Sequence, residues 1–297
     1  MGRSEVQRNL FFRDGYIVIK NLISSDEIET LREHYANLVL GGVPDFPERH
    51  ISRHNPQQAQ TLETATPHGE RHDRRGTQVF PKGEEDYTGQ RAAPVTDPLN
   101  AINKVNVPSR HDPIFDAFVH SPKIVDIVAD LMGPNIKLYY DQVFAKPPYA
   151  RANRYHQDSV FWGFFASNFQ ITCQLLLDDA TMANGCVRFI PGSHNFGLIN
   201  WEHLPYMLTD EVLAQEVPVP LEAGDATFHH SLALHCSGPN TTPHRRRGWS
   251  IHYVSAETRY IGTPEETEHI KQLGCLVGAE PVNGWPLIRG NEFPGCV

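Results

Sequence analysis

Phe169-Gln170-Ile171-Thr172-Cys173-Gln174-Leu175-Leu176-Leu177 is a run of β-branched, aromatic and apolar residues that reads as a strand. Working outward, residues 138–145 before it, and 187–190, 226–229 and 249–254 after it, are short runs of the same character. Turn chemistry such as Asn184-Gly185 and Gly224-Asp225 separates them. Many short strands at this spacing predict an antiparallel sandwich or barrel. Helices flank it. Near the N-terminus a short helix reaches Phe12, breaks at Asp14-Gly15 and gives way to a strand over 16–19. Ser24 and Glu27 then form a capping-box pattern, and Ile28, Leu31, Tyr35 and Leu38 recur at helical spacing until Gly41-Gly42. A further helix is predicted with Ser121 as cap, Pro122 at its first position, an apolar face of Ile124, Val125, Ile127, Val128 and Leu131, and Gly133 as its close. The class is mainly β with flanking helices.

A chain of 297 residues can form one large domain, and a single domain over 1–297 is the expectation. Residues 43–100 are polar, rich in Pro, His, Arg and Gln, and follow neither period for long, so they read as a substrate lid or binding loop. The tail 257–297 shows little periodicity and is expected to pack over an open end of the barrel. No stretch approaches the roughly 18 apolar residues of a membrane span, and the net charge of -9 disfavours nucleic acid as a partner. Five cysteines without a CxxC pair point away from disulfides and structural zinc, and with a polar segment 1–9 a cytoplasmic location is expected.

The chemistry starts at Tyr155-His156-Gln157-Asp158. In an extended segment His156 and Asp158 project from the same face and can reach one ion. In a chain with sixteen histidines such a pair alone is weak evidence. Support comes from His235, which ends the apolar run Leu232-Ala233-Leu234 just before Ser237-Gly238-Pro239-Asn240, with arginines ten to twelve positions later. Two imidazoles and one carboxylate on one face of an octahedron leave three positions open, the arrangement of non-haem iron(II) oxygenases. His229 and His230 compete with His235 for the third place.

These pieces resemble the phytanoyl-CoA dioxygenase family of 2-oxoglutarate-dependent oxygenases. The matching stretches are His156-Gln157-Asp158, Asn184-Gly185-Cys186 running into Ile190-Pro191-Gly192-Ser193-His194, then Gly224-Asp225, His235 to Asn240, and Arg246. The looser likeness extends over about 11–254. The resemblance implies a double-stranded β-helix core (jelly-roll, cupin-like), with His156, Asp158 and His235 as the iron(II) ligands and catalytic centre. It selects His235 over His229 and His230, and treats Pro191 to His194 as a structural turn. It places Arg246, eleven after the second histidine, on the distal carboxylate of 2-oxoglutarate. A guanidinium fork suits that carboxylate better than an ammonium. Its neighbours Arg245 and Arg247 then read as a solvated turn. It also suggests Lys104 and Gln142 as further co-substrate contacts, while Gln174, which stands where the family often carries an aromatic residue beside the co-substrate, reads either as a contact or as a core-facing amide satisfied by backbone.

The implied reaction oxidises a small-molecule substrate, by default through hydroxylation because Asp158 fills the place that halogenating relatives leave small. 2-Oxoglutarate and O2 are consumed, giving succinate and carbon dioxide. A zinc hydrolase on the same ligands is one alternative, but it leaves Arg246 without a role and lacks a general base. A metal-binding β-barrel without turnover is another. Phe161, Trp162, Phe164 and Phe165, close behind the motif, read as core or as pocket lining.

Overall fold

A computed structural model describes residues 5–53 and 96–297. Segment 54–95, most of the expected lid, lies outside the described residues. Helices α1 (Glu5–Asp14), α2 (Ser25–Val39), α3 (Pro113–Val119), α4 (Pro122–Met132) and α5 (Pro264–Leu273) surround the strands. These are β1 (Tyr16–Ile19), β2 (Ile51–Arg53), β3 (Ile102–Asn106), β4 (Ile136–Lys146), β5 (Asn153–His156), β6 (Gln170–Leu176), β7 (Val187–Phe189), β8 (Val217–Pro218), β9 (Ala226–His230), β10 (His235–Ser237), β11 (Arg246–Ser255) and β12 (Leu287–Arg289). The larger sheet runs β1-β9-β6-β11-β4-β3-β2 with β12 on β4, and the smaller runs β5-β10-β7-β8. All these ladders are antiparallel, in the arrangement of a double-stranded β-helix.

Strand periodicity sorts the larger sheet into two faces. Ile171, Cys173 and Leu175 of β6, Trp249, Ile251 and Tyr253 of β11, and Ala226 and Phe228 of β9 join the core that Leu31, Phe115, Ile124 and Val128 bring from the helices. The alternate residues Thr172, Gln174, Ser250, His252, Thr227 and His229 take the other face, towards the smaller sheet. That face is polar although most of it is buried.

Local signals explain the helix ends. In α2, Ser24 accepts from the Glu27 amide at 3.4 Å and the Glu27 carboxylate accepts from the Ser24 amide at 2.8 Å, the reciprocal capping box. Ser121 occupies the cap position of α4 without a side-chain capping bond, so the start of that helix rests on Pro122 and its preset φ. Gly224 bends at φ +92°, where a Cβ would meet the Ile23 carbonyl at 2.4 Å. The carboxylate of Asp225 then holds Lys20 at 2.7 Å and the Asn21 amide at 2.8 Å, so this motif ties the start of the chain to β9.

The tail is more ordered than its sequence reading. Thr263 and Glu266 open α5 with a second capping box and Gly274 closes it in the left-handed region. Only Ile270 of that helix is buried, so no apolar stripe betrays it. Ile270, Cys275, Trp285 and Val297 pack with Tyr139, Trp162, Phe164 and Phe165. Three of the four aromatic residues behind the His-x-Asp motif are therefore core, while Phe161 is 44% exposed. Among the described residues no helix is long and apolar enough to cross a membrane.

Candidate metal centre

β5 ends at His156 and β10 begins at His235, and the ladder makes them Cα partners with ring centroids 4.2 Å apart. The strand stops there and Asp158 opens a 3-10 turn, but Gln157 between them remains extended (φ -111°, ψ 136°), which preserves the i, i+2 relation. Asp158 Oδ1 lies 3.9 Å from His156 Nε2 and 3.7 Å from His235 Nε2. One ligand atom from each residue falls within 4.8 Å of the others, so the three could hold one ion. Gln157 takes the opposite side. Its amide donates to Gly197 O and Leu232 O and accepts from the Ile199 amide, each at 2.8 Å, bracing the surrounding loops.

Each imidazole has its tautomer set by its own strand. His156 Nδ1 faces Arg154 O and His235 Nδ1 faces Ala233 O, both at 2.9 Å. A carbonyl only accepts, so Nδ1 carries the hydrogen and Nε2 offers a lone pair to the centre. Burial pushes the His156 pKa down, and burial together with His156 pushes His235 down to about 3. Burial works the other way on Asp158, but the His229 hydrogen bond and the nearby His235 and His252 hold it well below the usual carboxylate range. Two neutral imidazoles around an ionised carboxylate form a donor set suited to a divalent iron ion.

The second carboxylate oxygen is also engaged. Asp158 Oδ2 accepts from Thr172 Oγ1 at 2.9 Å and from His229 Nε2 at 3.3 Å. His229 is thus buried beside the candidate ligands rather than among them. Thr172 Oγ1 lies 2.8 Å from His252 Nδ1, and Gln142 Nε2 lies 3.2 Å from His252 Nε2. Sequence reasoning missed Thr172 and His252, although both are polar residues at inward positions of apolar strands.

Ladder register lines these residues up. One row across the sheet is His229, Thr172, His252 and Tyr140. The next is Thr227, Gln174, Ser250, Gln142 and Asn106, and the one beyond it includes Leu176, Gly248, Phe144 and Lys104. Two of the expected co-substrate contacts, Gln142 and Gln174, therefore share a row, with Lys104 in the row below. In that middle row Thr227 Oγ1 and Asn106 Oδ1 are buried without hydrogen-bond partners among the described residues. Gln174 makes no side-chain hydrogen bond among the described residues. Burial lowers the Lys104 pKa, and its ammonium sits 5.7 Å from the Phe144 ring.

The three consecutive arginines differ sharply. Arg245 pairs with Asp97 at 2.5 Å, and Arg247 grips Asp178 through two nitrogens, each at 2.8 Å. Arg247 is not the solvated turn residue expected of it, because β11 carries it into the protein, whereas Arg245 precedes the strand as a half-buried residue held by its ion pair. Arg246 is buried and has no carboxylate partner among the described residues. Its Nη2 donates to Gly185 O at 2.8 Å and its Nε has no partner. Burial lowers its pKa to about 10, which leaves it charged at neutral pH. A Cβ on Gly248 would meet Arg246 Nη1 at 3.4 Å, so the guanidinium lies against the row that contains Lys104.

Turns around the centre are built for support. Asn240 Nδ2 bonds Pro147 O at 2.9 Å and His244 O at 2.7 Å, joining the end of β4 to the turn before Arg246. Ser193 Oγ accepts from the Leu234 amide at 2.8 Å, and His194 Nε2 lies 3.1 Å from Phe12 O. His230 Nδ1 accepts from the Leu232 amide at 3.0 Å. His194 and His230 thus serve the backbone.

The Phytanoyl-CoA dioxygenase (PhyH) family model matches residues 11–248, which include His156, Asp158, His235 and Arg246. The chain belongs to that family. It is an iron- and 2-oxoglutarate-dependent oxygenase. Phytanoyl-CoA dioxygenase domain-containing protein 1 of Danio rerio is 28% identical over 272 residues, covering 86% of this chain and 91% of that protein. The probable alpha-ketoglutarate-dependent hypophosphite dioxygenase of Stutzerimonas stutzeri is 30% identical over 173 residues, covering 52% of this chain and 58% of that protein. Among solved structures, the epimerase SnoN in complex with Fe3+, alpha ketoglutarate and nogalamycin RO superposes with a TM-score of 0.64 at 22% identity. That match covers 98% of this chain and 97% of the other, and establishes the shared fold.

Proposed function

We propose that this family member uses His156, Asp158 and His235 to hold Fe(II), and that it hydroxylates an unactivated C–H bond of a small organic molecule. Arg246 anchors the distal carboxylate of 2-oxoglutarate, with Lys104, Gln142 and Gln174 lining the same pocket. The observation that carries this reading is the buried, charged Arg246, which lacks a carboxylate partner among the described residues while both neighbours have one. An anionic co-substrate would supply it. The orphaned Thr227 Oγ1 and Asn106 Oδ1 offer further polar contacts in the same region.

The bound metal with 2-oxoglutarate and O2 supplies the oxidising chemistry. The chain's own residues bind and orient. The Nδ1 bonds of His156 and His235 hold both rings, the donors to Asp158 Oδ2 hold the carboxylate, and the guanidinium fork of Arg246 fixes one end of the co-substrate. The packed tail closes one flank against water. On the other flank Phe161 stands 6.0 Å from the His156 ring and 5.4 Å from Trp201, with the Arg154 guanidinium 4.2 Å over Trp201. Arg154 shares the His156 face of β5 by strand period, so the substrate meets aromatic surface and a cation beside the metal. A single catalytic domain working in the cytoplasm fits this reading.

The test is succinate formation by anaerobically iron-loaded protein given 2-oxoglutarate and air, for wild type, Asp158→Ala and Arg246→Ala. Slow uncoupled turnover that both substitutions remove is the expected result. Iron binding without any binding or consumption of 2-oxoglutarate would overturn the reading.

A further inference from the structure

We infer that Gln142, His252 and Thr172 form a one-way hydrogen-bond chain that orients Asp158, keeping Oδ1 for the metal and Oδ2 for the protein. The inference rests on Asp158 being a metal ligand, as proposed above.

The direction follows link by link. An ionised carboxylate only accepts, so Thr172 spends its one hydroxyl hydrogen on Asp158 Oδ2, 2.9 Å away. The hydroxyl oxygen must then accept from His252 Nδ1 at 2.8 Å, which places the ring hydrogen on Nδ1. His252 is neutral, its pKa lowered to about 4 by burial, so its Nε2 is bare and accepts from the Gln142 amide at 3.2 Å. With His252 neutral, each link runs in one direction.

Rigid elements hold the chain in place. Thr172 and His252 are Cα partners of β6 and β11, and β4, which carries Gln142, is the next strand. The His252 ring stacks on Tyr140, with centroids 6.2 Å apart and planes 11° from parallel, and meets Trp162 edge-on at 4.9 Å. It has little room to turn.

The oxygens of Asp158 are divided by function. Both protein donors, Thr172 and His229, reach Oδ2, whereas Oδ1 is the atom 3.9 Å and 3.7 Å from the two imidazole Nε2 atoms. A carboxylate so held would offer a metal one oxygen. A second metal–oxygen bond would occupy one of the three positions that co-substrate and oxygen require. Thr172, His252 and Gln142 are therefore positioning residues, distant in sequence from the ligand they serve.

The experiment uses the full chain and Co(II) as the probe, comparing Thr172→Val and His252→Phe with Thr172→Ser and His252→Asn. The serine keeps the hydroxyl, and the asparagine amide replaces the Nδ1 donor. Co(II) affinity, the visible Co(II) spectrum and thermal stability are read for each. The expected result is a roughly 10- to 100-fold weaker Co(II) affinity and an altered spectrum for the Val and Phe variants, with the Ser and Asn variants close to wild type. Wild-type affinity and spectrum in the Val and Phe variants would overturn the inference, as would equal loss in the Ser and Val variants. A wild-type protein that takes up no Co(II) would instead remove the metal reading beneath it.

Discussion

His156 and His235 face each other as partners across the β5–β10 ladder, and each turns its Nδ1 to the carbonyl two residues earlier in its own chain. The ladder fixes the separation of the rings and the carbonyls fix their tautomers. His229, more deeply buried than either, points its Nε2 at Asp158 instead. The expected outcome is that His235→Ala abolishes stable Fe(II) or Co(II) uptake, whereas His229→Phe lowers it by the roughly 10- to 100-fold typical of a supporting residue. Metal titration of both variants decides it, and equal losses would mean that the two histidines share one role.

Arg246 and Arg247 adjoin in sequence and differ in partner. Removing a charge that serves a buried pair costs about 2–5 kcal/mol, so Arg246→Ala should weaken 2-oxoglutarate binding about 30-fold or more. Arg246→Lys should recover only part of this, because an ammonium cannot make two parallel bonds. Arg247→Ala should leave 2-oxoglutarate affinity near wild type and lower stability instead, since it removes two charge-assisted bonds from Asp178 and leaves it only the 3.4 Å pair with Arg32 and a backbone amide. Calorimetric titration beside urea unfolding separates the two effects.

Gly185 stands at φ +80°, and a Cβ there would meet Gly238 O at 2.2 Å. Its own carbonyl receives the Arg246 guanidinium. Gly185→Ala should therefore cost more than the roughly 1–2 kcal/mol of left-handed backbone alone and should also weaken 2-oxoglutarate binding. A urea midpoint equal to wild type would show that this turn tolerates a side chain.

The tail docks through a fully buried Trp285 packed with Tyr139 and Phe165. Trp285→Ala should cost roughly 3–5 kcal/mol, as large-to-small core changes do. Limited proteolysis should then cut first within 257–297, and protection like that of wild type would argue against this docking.

Glu27 gives a pH signature. The hydrogen bond from Lys123, together with its bonds to Ser24, outweighs burial and lowers the Glu27 pKa from 4.5 to about 2. A depressed carboxylate contributes stability above its unfolded pKa, and that contribution is lost as pH falls from 4.5 through about 2. With a third of its side chain exposed, the contribution is screened to at most ~1 kcal/mol. Acid should thus destabilise wild type more steeply than Glu27→Gln over that window, by urea midpoints at several pH values, and parallel curves would refute it.

The sequence by itself determined what depends on near neighbours. Alternation in β6 and β11, the Ser24–Glu27 box of α2 and the two-residue spacing of His156 and Asp158 are all readable because helices, strands and caps are set within a few positions. Even Arg246 could be singled out, by its distance from His235 in a motif that resembles a known family. What only the tertiary structure decided depends on strand order. Thr172 and His252 are 80 positions apart and Gln142 is 110 from His252, yet adjacent ladders make them one chain of hydrogen bonds ending on Asp158. The same folding gave Arg247 to Asp178 and left Arg246 without a carboxylate among the described residues. Periodicity tells a side chain which face of its sheet to take. Which strand lies alongside is chosen by burial of the whole core, and that choice converts separate polar residues into a site.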